Sequence, residues 1–309
     1  MTKQIFVTIL LLFVWQHAAA QKLDQTTAKS QTFATDASSL DARIKSELAN
    51  FRGSVYIYAK NLDTGKDYDY RGNEPVRTAS TIKLPIMTEV FAQIAEGKRN
   101  WTDEFVLTKD KKFGGSGVLS EFSDDSKIDL KTLVNLMITV SDNTATNLVL
   151  DAITTDAVNR RMDQLGLKQT RSLGKIGGGG KSQAWETSPL YKNYGIGVSS
   201  PREMVKLLEM LERGEIVSPA ASKEMLEILK RQQYTDGIMR NVLDTIPTAS
   251  KSGALDRLRS DVGIIYGRRG RIAMAITVDD MLEVTYSEDN PGLLLLWRLS
   301  QILQDGLAK

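Results

Sequence analysis

The amino-acid sequence predicts an α/β chain of the α+β kind: a single sheet built from the two chain ends, with an all-helical domain inserted between them. Three observations predict it. Strand patterns occur near the start, in Ser54–Ala59 and Lys66–Tyr70, and again near the end, in Asp261–Tyr266 and Arg271–Val278. The middle of the chain instead carries apolar residues at helical spacing. The composition, 309 residues of which 41% are hydrophobic and 25% charged, with a formal net charge of +2, is that of an ordinary globular protein.

Taken in order, the first twenty residues place Lys3 ahead of an apolar run from Ile5 to Trp15, followed by Ala18 and Ala20. That is the pattern of a secretory signal peptide, residues 1–20, cut before Gln21. Residues 21–38, rich in Thr, Ser, Gln and Ala, predict a disordered spacer. The apolar run is short for a membrane span, and no later stretch reaches the eighteen or so apolar residues that one needs. With no cysteine there is neither a lipid-attachment site nor a disulfide, so a soluble periplasmic or secreted monomer without a stable membrane anchor is expected. The modest net charge argues against a nucleic-acid partner.

A helix is predicted over Asp41–Phe51, then two strands around the turn Asn61–Gly65. Leu84, Met87, Phe91 and Ile94 mark one helical face, although Pro85 inside that helix should cost a hydrogen bond or bend it. Leu133, Leu136, Met137 and Val140 mark a second helix ending at Ser141. Ser200-Pro201 and Ser218-Pro219 are cap-plus-proline helix starts, the first helix being stopped by Gly214, and Asn290-Pro291 opens the last. A further strand is expected at Leu282–Tyr286. The sheet domain is thus residues 39–78 and 214–309, and the helical domain residues 79–213.

One subtraction narrows the chemistry. The single histidine, His17, lies in the expected signal peptide, so the mature chain would have neither His nor Cys. A Ser-His-Asp triad, a cysteine nucleophile and zinc sites built on His or Cys are excluded. Lysine, carboxylates and tyrosine remain as bases. The stretch Ile176–Ser182, IGGGGKS, suggests a phosphate cradle, but Lys175 stands where that pattern needs a glycine. A flexible glycine-rich loop is the simpler reading.

Thr78-Ala-Ser80-Thr-Ile-Lys83 sets a serine at a helix mouth with a lysine on the same face one turn on. The helix N-terminus favours negative charge at Ser80 and disfavours the proton on Lys83. Ser141-Asp-Asn143 and Lys251-Ser252-Gly253-Ala254 follow. By itself, each suits a helix cap or a hairpin turn. In this order, however, they form the signature of class A β-lactamases and penicillin-binding proteins, and from about Leu40 onward the sequence resembles a divergent class A serine β-lactamase. Ser141 follows Ser80 at the family's spacing; Lys251 follows at a somewhat longer one.

The resemblance implies a β-lactamase/transpeptidase-like fold, with an antiparallel five-stranded sheet flanked by the N- and C-terminal helices. It implies that Ser80 attacks a lactam carbonyl with neutral Lys83 accepting the proton. Ser141 would protonate the departing nitrogen, Asn143 would hold Lys83 and the substrate amide, and Lys251 with Ser252 would grip the substrate carboxylate. The N–H groups of Ser80 and Ala254 would form the oxyanion hole, and Gly253 would let its strand approach the ligand. The substrate would be a β-lactam or an acyl-D-Ala-D-Ala-like molecule, with no metal or other cofactor.

Three departures stand against the family pattern. Ile176 falls where the deacylating glutamate belongs, Gly174 replaces an arginine that pins the Ω-like loop (residues 172–199), and Val262 stands where many members carry a substrate-binding arginine. Glu186, in Trp185-Glu186, is the candidate replacement acid, which the glycine run would have to deliver. Three readings follow: an exported β-lactamase conferring antibiotic resistance, a D-Ala-D-Ala peptidase-like or penicillin-binding protein with slow deacylation, and a non-catalytic cell-wall ligand-binding module.

Overall fold

The computed structural model describes residues 39–308; the signal peptide and spacer expected over residues 1–38 lie outside the described residues. Helix α1 (Leu40–Leu48) leads into β1 (Ser54–Asn61) and β2 (Asp67–Tyr70). Asn61 closes the turn between these strands, its Oδ1 accepting from the N–H groups of Asp63 and Thr64 at 3.0 and 3.2 Å. After β3 (Val76–Arg77), a 3₁₀ turn over Ala79–Ile82 runs directly into α2 (Lys83–Ala95). This arrangement removes the expected penalty at Pro85. With the α-helix starting at Lys83, Pro85 falls in its first turn, where the N–H has no intrahelical partner.

A hairpin of β4 (Glu104–Val106) and β5 (Lys127–Asp129) precedes α3 (Leu130–Thr139), α4 (Asn143–Ile153) and α5 (Thr155–Gln164). The strand pair β6 (Arg171–Ser172) and β7 (Gly197–Ser199) brackets a loop carrying the short α6 (Gln183–Thr187), and β7 also pairs with β3. These strands are too short for a periodic signal, which is why the sequence did not announce them. The loop's two ends are therefore tied to the strand that leads into the 3₁₀ turn.

Helices α7 (Pro201–Glu212) and α8 (Pro219–Leu229) begin where the Ser-Pro pairs predict, with Ser200 Oγ accepting from Glu203 N at 3.3 Å and Ser218 Oγ from Ala221 N at 3.1 Å. Strands β8 (Thr248–Leu255), β9 (Leu258–Gly267) and β10 (Gly270–Asp279) and helix α9 (Pro291–Gly306) complete the chain. The main sheet is antiparallel throughout, in the order β2-β1-β10-β9-β8. Helix α7 lies on this sheet against β1, β9 and β10. One apolar core joins sheet residues such as Val262, Ile264 and Ala273 to helical ones such as Leu84, Leu133 and Leu148.

The fifth strand is not the one expected. Leu282–Tyr286 is irregular and largely exposed, its backbone held instead by Asn290 Nδ2 and Arg259, which both donate to Thr285 O. The edge strand is Thr248–Leu255, which contains the Lys-Ser-Gly triplet. Its residues are small or polar, so nothing in their hydropathy marks a strand. Pairing with β9 across eight register positions, Thr248↔Ile265 to Leu255↔Leu258, is what makes it one.

Candidate active site

Two of the motifs start from strained backbone. Ala79, just before Ser80, has φ +47°, and Ser141 has φ +53°, both in the left-handed region that costs a non-glycine residue about 1–3 kcal/mol. The surrounding contacts hold these turns. Asp142 caps α4 by accepting from Ala145 N at 2.8 Å, and its other oxygen accepts from Val118 and Leu119 N–H at 2.7 and 2.8 Å. The middle residue of Ser-Asp-Asn thus braces the 113–119 loop against the second motif. A side chain at Gly117 (φ +91°) would collide with Asp142, so the loop needs glycine there.

Lys83 is fully buried, and its Nζ donates to Ser141 O at 2.7 Å, Ser141 Oγ at 3.2 Å and Asn143 Oδ1 at 3.0 Å. Asn143 Nδ2 donates in turn to Gly114 O at 2.9 Å. Burial, and then the positive charge of Lys251, push the Lys83 ammonium well below the usual lysine range, with Asp142 opposing. That direction favours the neutral amine at Lys83, the form able to accept a proton. Lys251 is fully buried as well; burial lowers it to about 7, Asp261 acting in the opposite sense, and its Nζ donates to Ser252 O at 2.7 Å.

The edge strand β8 closes on Ser80 because Gly253 has no side chain. A Cβ there would lie 2.8 Å from Thr78 O and 3.0 Å from Ser80 N. That close approach brings Ala254 and the Ser80 turn to the two sides of one cleft, of about 570 Å³. The cleft is lined by Ser80, Ser141, Asn143, Ser252, Gly253 and Ala254, with Lys83 and Lys251 buried in its walls. Eight of the nine residues singled out in the sequence therefore meet.

Glu186 does not meet them. It is exposed on α6 and is not among the residues lining the cleft. The reason lies in the loop, which is tied down rather than loose. Ile176 N–H donates to Asn147 Oδ1 at 2.9 Å and Asn147 Nδ2 donates back to Ile176 O at 3.0 Å. Lys175 pairs with Asp151 at 2.7 Å, and Thr155 Oγ1 donates to Gly180 O at 3.0 Å. Gly177 to Gly180 all have positive φ, from +51° to +107°, a left-handed run that only glycines adopt at low cost. A Cβ at Gly177 would collide with Phe113, the aromatic wall between the cleft and a neighbouring cavity of about 310 Å³ lined in part by Ile176. Ser182 then caps α6, with its Oγ accepting from Trp185 N at 3.2 Å. The glycines serve a fixed turn that sets Ile176 beside Asn147.

Sequence reading missed several contributors. Asn147, Phe113 and Tyr234 gave no motif signal; Tyr234 lines the cleft and its hydroxyl is 3.5 Å from Ser116 Oγ. Asp261 was legible in principle, as a lone charge heading the apolar run Val262–Ile265 of a central strand. It is 1% exposed, and burial raises its carboxyl to about 7.

Comparison with known proteins bears on the family and the fold. The model of the beta-lactamase enzyme family matches residues 39–307. Among curated relatives, beta-lactamase BRO-1 of Moraxella catarrhalis is 22% identical over 216 residues, covering 68% of this chain and 65% of its own length. Among solved structures, a beta-lactamase from Sphaerobacter thermophilus superposes with a TM-score of 0.75 at 27% identity, over 87% of this chain and 95% of that one. A point mutant of PBP-A, in an acyl-enzyme complex with penicillin G, superposes with a TM-score of 0.72 at 24% identity, over 86% of this chain and 94% of that one.

Proposed function

The chain belongs to the beta-lactamase enzyme family, and from that premise we propose that it opens β-lactam rings by acylating Ser80 and releases the product slowly, behaving as a penicillin-binding, D-Ala-D-Ala peptidase-like member. The convergence of buried Lys83 on Ser141 and Asn143 beside Ser80 is the observation that carries the acylation. Ser80 Oγ attacks the carbonyl carbon and its proton passes to neutral Lys83. As the C–N bond breaks, the Ser141 hydroxyl protonates the leaving nitrogen and is itself reprotonated from Lys83. The backbone N–H groups of Ser80 and Ala254 stabilise the oxyanion, a contribution commonly of about 10²- to 10³-fold per donor. Lys251 and Ser252 grip the substrate carboxylate.

Slow release is supported by the loop beside the cleft. The loop position clamped by Asn147 is an isoleucine, which cannot activate water, and Glu186 sits exposed on α6, outside the cleft lining. A non-catalytic binding role leaves unexplained a lysine buried beside a serine, its proton affinity lowered by that burial. The N-terminal sequence pattern supports export to the periplasm or beyond.

Intact-mass spectrometry with penicillin G tests the reading: one adduct per chain, on Ser80, persisting after free drug is removed. Sustained turnover of a chromogenic cephalosporin would restore the alternative of an efficient β-lactamase, conferring resistance, with Glu186 or another group as base. No adduct would sink the serine mechanism altogether.

A further inference from the structure

The mouth of the cleft carries an exposed aromatic ring that is nevertheless fixed in place. Tyr286 lines the cleft and is 66% exposed, yet its hydroxyl donates to Asp256 Oδ1 at 2.9 Å and its ring lies on the Arg259 guanidinium, with Cζ 4.8 Å from the ring centroid. Arg259 is itself anchored: Nη1 donates to Leu255 O and Leu258 O, both at 2.6 Å, and Nη2 donates to Thr285 O, the carbonyl next to Tyr286. The ring is thus held at its tip, on one face and through the adjoining backbone, and its other face is open to solvent. An exposed side chain ordinarily loses rotamer freedom when a ligand packs on it. A ring already held has little left to lose, which is the condition for a preorganised contact.

The order of groups along β8 says which part of a substrate reaches this ring. Lys251 and Ser252, to which the proposed mechanism gives the substrate carboxylate, come first, and Ala254, which takes the carbonyl oxygen, comes next. Arg259 lies across the sheet from Ala254, and Asp256, with Tyr286 tethered to it, lies beyond, in the turn between β8 and β9. A substrate with its carboxylate at Lys251 and its carbonyl at Ala254 therefore extends its acyl side chain toward Tyr286. We propose that Tyr286 is a specificity-determining residue: its open face stacks on a flat ring at the end of the acyl side chain, so that β-lactams with an aromatic or heteroaromatic acyl substituent are favoured over those with an alkyl one. The inference rests on the acylating function proposed above. With both terminal nitrogens of Arg259 committed to carbonyls, the site offers the face of a ring rather than a free charge.

The experiment compares acylation of Ser80 in the full chain by penicillin G, whose acyl side chain ends in a phenyl ring, and by the penicillin with a linear alkyl side chain of similar size, each followed by stopped flow and intact mass. In Y286A the aromatic-to-alkyl ratio of the acylation rate constants should fall by about two- to tenfold, the range expected of one aromatic stacking contact, and Y286W should restore it. D256A keeps the ring but frees its hydroxyl; it should lower the ratio by about twofold through the lost preorganisation, and it serves if Y286A folds poorly. A ratio unmoved in Y286A, or in D256A where Y286A does not fold, overturns the proposal while leaving Ser80 acylation standing. Equal losses with the two penicillins overturn it in the same way, since a merely structural role would slow both alike. Absence of an adduct with either penicillin in the wild type would take down the acylating function and this inference with it.

Discussion

The cleft and the loop beside it are built to different standards of chemistry. On one side, Ser80, Lys83, Ser141, Asn143 and Lys251 converge through strained turns, buried amines and a hydrogen-bond network centred on Lys83 Nζ. Beyond Phe113, the 172–199 loop is just as firmly tied, by Asn147, Asp151 and Thr155, yet the residue at its clamped position is Ile176. Both regions are held in place, but only the first lines the cleft with reactive groups. The proposed acylation and release thus draw on separate segments of the chain, and a fixed loop is no substitute for a carboxylate that faces the cleft.

That contrast can be broken most severely at Ser80. Ser80→Ala should abolish the penicillin adduct, a loss of about 10⁴-fold or more in acylation measured by stopped flow; a surviving adduct would move the nucleophile elsewhere. Lys83→Met should slow acylation by about 10²- to 10⁴-fold while leaving the fold intact by circular dichroism. The same asymmetry predicts a pH profile. Since the reactive form of Lys83 is the neutral amine, and its pKa lies well below the usual lysine value, acylation should climb with pH through that lowered pKa and not wait for the ordinary lysine range.

The loop's side of the contrast is sharpened by adding what it lacks. Ile176→Glu should speed release of the acyl-enzyme by about tenfold or more, read as the decay of the adduct mass, because a general base commonly contributes at least about 10²-fold when well placed. Asn147→Ala should cost about 1–3 kcal/mol of stability by leaving Ile176 N–H and C=O without their partner, a drop of a few degrees in melting temperature. Glu186→Gln should change release by no more than about twofold, as for an exposed site outside the cleft. A trapped acyl-enzyme in that variant would show that the loop rearranges on acylation and would erase the distinction between the cleft and the loop.

Local sequence determined a great deal here. Serine caps followed by proline start α7 and α8 because a side-chain oxygen and a fixed φ act within one turn, whatever the rest of the chain does. The sheet built from both chain ends, the helices of the middle, and eight of the nine chosen site residues were likewise legible, since hydropathy period and motif order survive without coordinates. Tertiary structure decided the rest. Thr248–Leu255 is a strand only because β9 pairs with it, and Leu282–Tyr286 is not one because nothing pairs there among the described residues. Pro85 is harmless because a 3₁₀ turn shifts the helix start to Lys83. The exposure of Glu186 outside the cleft and the burial of Asp261 depend on contacts between segments far apart in the chain. Burial and distance set the charge of Lys83, Lys251 and Asp261, and neither quantity is a property of a residue type or its neighbours in sequence.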